Sequence, residues 1–307
     1  MEQKKVKEKA DNFLERLFYQ IFLLVVKIFP ETALYFFSQL AGNLAYFLAG
    51  KRRKLAIKNL TIAFKNKLSP REIKQTARRV FCEIAWSWFE VFILITKKSD
   101  INKTLCEDIS VEGIEYLDAA LKKEKGVIFI GAHFGNFVLL TTKLTWMGYP
   151  LKTIDKNRRT LLGTEYWQDV QKKFRINSIS ARPRIRAVSE SLRWLKKLNI
   201  LFLYADQNRK KDGVSVDFFN RPALTVRGPA MFHLRTGAEI LCAFIVRLDR
   251  KKHKIMITPP LNVEKTGNLD EDLRRITQTY TSVIEDVVRQ YPHQWLWPHK
   301  RWDKNIR

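Results

Sequence analysis

Cysteine is scarce in this chain. Only Cys82, Cys106 and Cys242 occur, and no CxxC pair is among them. All three lie in apolar or mixed stretches, so they read as buried, reduced thiols of a cytosolic compartment rather than redox or metal groups. The histidines His233, His253, His293 and His299 show no metal-ligand spacing, and no metal or other cofactor is expected. Acid is short too: 31 Asp and Glu stand against 56 Lys and Arg, a formal charge of +25 at pH 7. Such an excess calls for a polyanionic partner, either nucleic acid or an anionic lipid surface. No RNA- or DNA-binding motif is present, and the basic residues do not interleave with aromatics on one evident face, which argues against nucleic acid.

A long hydrophobic run is also missing. Leu17 to Phe29 is apolar but is interrupted by Gln20 and Lys27 and stopped by Pro30. As a helix it spans roughly 20 Å, short of the roughly 30 Å hydrocarbon core. A second apolar stretch, Ala33 to Leu48, contains Ser38, Gln39 and Asn43. Aromatics crowd this region, among them Tyr19, Phe22, Phe29, Tyr35, Phe36, Phe37, Tyr46 and Phe47, and the basic cluster Lys51-Arg52-Arg53-Lys54 follows. The pattern predicts a helix pair lying in a membrane interface with its cations at anionic headgroups. A core hairpin followed by a solvated charge run, or one full span, are the competing readings. No secretory signal peptide is evident, since the first ten residues are polar and no small-residue cleavage site follows the apolar stretch. These features divide the chain into 1–54, membrane-associating helices and basic cluster, and 55–307, a folded domain. No repeat, low-complexity tract or long linker interrupts it.

The apolar fraction is 46%, enough for a sizeable core. Residues 55–95 read as helical, with Ser69-Pro70-Arg71-Glu72 as a helix start. Beyond them strand-like and helix-like segments alternate. Strands are expected at Gly126–Gly131, Leu151–Ile154, Ile200–Tyr204, Glu239–Leu248 and Lys254–Ile257. Helices are expected at Asn136–Met147, Leu161–Phe174, Ile185–Lys197, Gly228–Thr236 and Glu271–Gln290. The alternation predicts an α/β fold with a mostly buried sheet.

Three constellations sit at expected strand ends, the edge where open α/β sheets bind ligands. In Ile130-Gly131-Ala132-His133-Phe134-Gly135-Asn136 a histidine follows a buried strand, where imidazole can serve as a general base. The alternative is a histidine that caps the turn. Tyr204-Ala205-Asp206-Gln207-Asn208 runs into Arg209-Lys210-Lys211. A carboxylate there can orient His133 or bind a cation or hydroxyl, or it can simply make an Asx turn. Phe218-Phe219-Asn220-Arg221-Pro222-Ala223, followed by Thr225, Arg227 and Gly228-Pro229, can form an anion site. Lys156, Arg158 and Arg159 follow another strand and can join it, although any single arginine also fits a solvated surface. The tail Tyr291 to Trp302 holds three tryptophans and reads as a docked, ordered segment.

These residues resemble the bacterial lipid A biosynthesis (late) acyltransferases, of the lipopolysaccharide lauroyl/myristoyl acyltransferase type. The matching pieces run in order: Val111-Glu112-Gly113-Ile114-Glu115, Ala132 to Asn136, Asp206-Gln207-Asn208, Phe218 to Ala223, Gly228-Pro229-Ala230 and Gln294-Trp295-Leu296-Trp297. The resemblance implies a glycerolipid-acyltransferase-like mixed sheet flanked by helices, at the cytoplasmic face of the bacterial inner membrane. It implies an acyl carrier protein thioester or acyl-CoA as donor, and a hydroxyl of a phosphorylated glycolipid, a lipid A precursor, as acceptor. His133 is the expected base. Asn136, Lys156, Arg159, Gln207, Arg221 and Arg227 are the expected substrate-binding residues. The family's motif places Asp or Glu five residues after the histidine, where this chain has Val138. Asp206 is the first candidate to replace that carboxylate, Glu165 a weaker one, and a backbone carbonyl a third. A family member impaired in catalysis that acts in lipid binding or assembly, and an acyltransferase for another glycolipid or phospholipid, are the alternatives.

Overall fold

The computed structural model describes residues 16–17, 19–65, 67–96, 101–155, 161–209 and 212–302, with backbone alone at 161–164. The first helical segment, α1 (19–28), leads into α2 (Glu31–Leu48), α3 (Gly50–Phe64) and α4 (Pro70–Thr96). The boundary read between residues 54 and 55 falls inside α3. Helix α4 opens with a reciprocal cap. Glu72 Oε2 accepts from the Ser69 backbone N–H and hydroxyl, each at 2.7 Å, and Ser69 Oγ accepts from the Glu72 N–H at 3.3 Å. This is the capping-box arrangement, which satisfies donors that a helix start leaves unpaired.

Helix α2 lies against α4 at backbone distance. A Cβ on Gly42 would sit 2.5 Å from Cys82 Cα, so glycine is what allows the approach. Val26, Leu34, Trp86, Phe89 and Ile93 seal these helices together. Their other face is bare: Ile21, Leu24 and Ile28 on α1 and Phe36, Leu40, Leu44 and Phe47 on α2 are all exposed. The spacing of three to four residues puts each set on one face of its helix. No helix among the described residues is long and apolar enough to cross a membrane.

The short helix α5 (Ile101–Lys103) leads into β1 (Ile109–Glu112) and α6 (Ile114–Lys122). The α/β body follows: β2 (Val127–Gly131), α7 (Phe137–Trp146), β3 (Leu151–Asp155), α8 (Leu161–Lys173), β4 (Asn177–Ser180), α9 (Arg184–Lys196) and β5 (Ile200–Tyr204). A hairpin, β6 (Gly213–Asp217) and β7 (Pro222–Val226), stands apart as a two-stranded sheet. Then come α10 (Gly228–Thr236), β8 (Glu239–Arg247), β9 (His253–Ile257) and α11 (Leu269–Gln290). The main sheet has seven strands in the order β1-β9-β8-β2-β5-β3-β4. All its pairings are parallel except β8 with β9.

Each interior strand separates two cores. Ile128 and Ile130 of β2, Leu201 and Leu203 of β5, and Ile240 and Cys242 of β8 face one cluster. Val127 and Phe129, Ile200 and Phe202, and Leu241 and Ala243 face the other. Strict alternation of side chains makes both faces apolar, so these strands read as unbroken hydrophobic runs. Cys82 and Cys242 are buried as expected, whereas Cys106 is exposed. It lies in a single π turn, Thr104–Asp108, where Leu105 takes the buried position.

Candidate active site

The sheet register brings two strand ends together. β2 and β5 are parallel neighbours with Gly131 opposite Tyr204, and the Ala205 N–H donates to Gly131 O at 3.0 Å. Two residues beyond that pair lie His133 after β2 and Asp206 after β5. Their side chains meet, with His133 Nδ1 2.8 Å from Asp206 Oδ1. Asp206 Oδ2 accepts the His133 backbone N–H and the Trp295 indole N–H, both at 2.9 Å. Burial by itself would raise the Asp206 carboxyl. The neighbouring His133, with the hydrogen bonds from it and from Trp295, outweighs burial and holds the group below the usual carboxylate range. Asp206 therefore sits ionised and locked in rotation by three donors, while its imidazole partner is 23% exposed.

The loop between His133 and α7 is pinned by the C-terminal tail. Gly135 has φ +52, and a Cβ there would lie 2.2 Å from Ile245 O, so no other residue fits. Its N–H donates to Gln294 O at 2.9 Å, and the Leu296 N–H donates to His133 O at 3.2 Å. Gln294 also clamps β8: its Oε1 accepts from the Arg247 N–H at 2.8 Å and its Nε2 donates to Arg247 O at 2.9 Å. Arg247 in turn binds Glu90 through two nitrogens, at 2.6 and 2.5 Å, and Glu83 at 3.0 Å. Burial would raise the Glu90 carboxyl, but the charges of Arg247 and then His253 pull it down to about 2. Asn136 donates to the same carboxylate at 3.0 Å. A buried ionic network thus ties α4, β8, the histidine loop and the tail into one unit. Such pairs are kept intact because breaking one leaves an uncompensated charge.

His133 opens onto a cavity of about 750 Å³, within the usual range for small-molecule sites. Helix α4 forms one wall with Val80, Ile84, Trp88 and Val91, and Val138, Leu203 and Phe232 continue it. Arg184, Arg209, Asp212 and Arg227 line another part. His293, also in the lining, is pushed down to about 4 by burial and then by Arg79, so it adds no charge near neutral pH. An apolar wall, a His–Asp pair and a cationic wall together suit a molecule with a hydrocarbon part and an anionic part.

Residues 3–304 match the model of the family described as bacterial lipid A biosynthesis acyltransferase. The chain belongs to that family. It is 23% identical over 282 residues to the lipid A biosynthesis palmitoleoyltransferase of Escherichia coli (strain K12), covering 89% of this chain and 85% of the relative. A Shigella flexneri protein named lipid A biosynthesis acyltransferase matches to the same extent. The phosphatidylinositol mannoside acyltransferase of Mycobacterium tuberculosis (strain ATCC 25618 / H37Rv) is 25% identical over 224 residues, 70% of this chain and 66% of that one. The chain is thus an acyltransferase of the lipid A biosynthesis type.

The residues singled out in the sequence have separate fates. Gln207 lies beside the histidine, its Nε2 3.4 Å from each ring nitrogen, and Arg227 lines the cavity. Asn136 reaches the lining too, but its amide is spent on Glu90 and Ser87 O, which makes it part of the scaffold. Arg221 does not join them. It sits in the turn of the β6–β7 hairpin, and Val226, at the other end of β7, pairs with Gly213. Four residues of strand separate that turn from Val226, about 14 Å, and Arg221 is absent from the lining. Glu165 ion-pairs with Arg16 at 2.7 Å rather than meeting His133. Val138 is buried in the first turn of α7 and lines the cavity. Lys156, Arg158, Arg159, Lys210 and Lys211 lie outside the described residues. Trp295, Glu90, Arg184 and Asp212 were not anticipated, and Arg209 was named only as part of the basic run after Asn208. For Trp295 the clustered tail tryptophans were a signal of docking, but not of a bond to Asp206.

Proposed function

We propose that this chain moves a fatty acyl group from a thioester, carried by acyl carrier protein or coenzyme A, to a hydroxyl of a phosphorylated lipid A precursor. The observation that carries the reading is the His133–Asp206 pair on a cavity with an apolar wall and an arginine-lined wall. Asp206 holds the proton on Nδ1, so Nε2 is the nitrogen that accepts a proton. As Nε2 takes the acceptor's hydroxyl proton, the oxygen attacks the thioester carbonyl. The tetrahedral adduct collapses, the C–S bond breaks, and the imidazolium returns the proton to the leaving thiolate. The products are an ester and a free thiol. Asp206 stabilises the transient imidazolium, a role that general-base pairs commonly give to a carboxylate. It does so from the neighbouring strand, where other family members are expected to use the position of Val138.

The exposed apolar faces of α1 and α2, followed by Lys51 to Lys54, support an in-plane location on the cytoplasmic face of the bacterial inner membrane. Fractionation of the full chain and of a Phe36→Asp/Leu40→Asp variant tests this. Loss of the membrane fraction in the variant is expected, and unchanged partitioning refutes it. The similarity to mycobacterial phosphatidylinositol mannoside acyltransferases supports a second acceptor class, another glycolipid with the same transfer chemistry. Mass spectrometry of lipid A from cells with and without the chain decides between them. An acyl chain lost from lipid A is expected. An unchanged lipid A with an altered second glycolipid favours the alternative.

A further inference from the structure

The β6–β7 hairpin does more at its base than at its turn. Gly213 pairs with Val226, so the residues just outside that pair, Asp212 and Arg227, lie across from each other. Arg184, at the start of α9, reaches in from a third segment and binds Asp212 Oδ2 at 2.6 Å. Arg209, just beyond β5, lines the same wall. The Asp212 carboxyl lies below its usual range because of the Arg184 hydrogen bond and charge, with Arg227 and Arg209 adding to the effect. Arg184 contacts this carboxylate directly, and Arg209 and Arg227 line the cavity with it, so three guanidiniums share this wall with Asp212. Of the cavity's other acids, Glu83 is engaged by Arg247 at 3.0 Å.

We propose that Arg184, Arg209 and Arg227 form a phosphate-recognition subsite, and that Asp212 is a built-in anion which a substrate phosphoryl group displaces. The proposal rests on the acyl-transfer reading of the same cavity and deepens it. Planar guanidiniums suit a phosphoryl group, which offers more oxygens and more charge than a carboxylate. Asp212 screens the three cations from one another while the subsite is empty. The Arg184 and Asp212 side chains are 62% and 43% exposed, so their bond is open to exchange. The phosphate belongs either to the acceptor sugar or to the pantetheine arm of the donor.

The two kinds of residue then have opposite signs. Inorganic phosphate, titrated against the full chain in detergent and followed by phosphorus NMR line broadening, is the probe. Arg184→Gln, Arg209→Gln and Arg227→Gln should each weaken binding by about five- to tenfold, the lower end reflecting exposure. Asp212→Asn should strengthen it by about threefold or more, because a competing anion is removed. His133→Ala should bind phosphate as the wild type does, so this measurement stands even if acyl transfer fails. Circular dichroism confirms the fold of each variant. Absence of broadening in the wild type, equal binding in all variants, or weaker binding by Asp212→Asn overturns the proposal. Displacement of bound phosphate by glucosamine phosphate assigns the subsite to the acceptor, and displacement by phosphopantetheine assigns it to the donor. Displacement by neither overturns its role in substrate recognition.

Discussion

Replacing Asp206 by Asn changes a single atom yet should disable the base, because of how the three donors around it are arranged. In the wild type one oxygen takes the imidazole Nδ1–H, and the other takes the His133 and Trp295 N–H groups. An asparagine has one oxygen. If that oxygen faces the two N–H groups, its NH₂ faces Nδ1, which must then act as acceptor. The ring proton moves to Nε2, and the nitrogen meant to accept the hydroxyl proton already carries one. If the amide flips, the NH₂ meets two N–H donors and both buried bonds are lost, at about 1–3 kcal/mol each. The flip therefore costs about 2–6 kcal/mol, and the wrong tautomer dominates. Loss of general-base action should lower turnover by about 10²–10⁴. Steady-state transfer from an acyl thioester measures the rate, and nitrogen NMR of the imidazole reads the tautomer. A folded Asp206→Asn enzyme with wild-type turnover, or one that keeps its proton on Nδ1, refutes the reasoning.

Trp295→Phe removes one donor from Asp206 while keeping the ring's bulk. Turnover should fall by about tenfold, because the carboxylate that steadies the imidazolium loses one of the two N–H groups on Oδ2; unchanged turnover in a folded variant refutes the role. Gly42→Ala should destabilise the chain by about 1–3 kcal/mol, because the new methyl meets the Cys82 backbone rather than a side chain that can swing away. Thermal unfolding measures this, and an unaltered midpoint counts against the close α2–α4 packing. Glu90 has a lowered folded pKa, so its contribution to stability is present above about 4.5 and lost as pH falls toward about 2. Acid unfolding should show that loss in the wild type and not in Glu90→Gln, which is expected to be less stable at neutral pH. Parallel acid curves for the two proteins exclude Glu90 as the source.

Much of the sheet was legible because its interior strands are buried on both faces. The expected Ile200–Tyr204 strand coincides with β5, and the other four agree within one or two residues with β2, β3, β8 and β9. The polar strands were not legible. β1 (ISVE) and β4 (NSIS) are edge strands with half-exposed patterns, and their pairing comes from a neighbour's free edge rather than from hydrophobic content. The segment from Phe218 to Pro229, read as one anion site, is the hairpin turn, strand β7 and the start of α10; Arg227 at its far end lines the cavity and Arg221 in the turn does not.

His133 and Asp206 were each recognisable as polar residues at the end of an apolar strand, and the missing carboxylate at position 138 was visible in the chain itself. That they touch is a matter of sheet order and register, decided across 73 residues. Strand order depends on which helices cover which face, and local sequence does not carry that information. The same holds for Trp295, 89 residues from Asp206, and for Arg184, 28 residues from its partner Asp212. Composition and periodicity by themselves determined the α/β class, the excess of cations and the placing of His133 just past a buried strand, because these follow from local hydrophobic pattern and residue chemistry. Only tertiary structure decided what holds that histidine and which cations share its cavity, because both are contacts between segments that the chain keeps far apart.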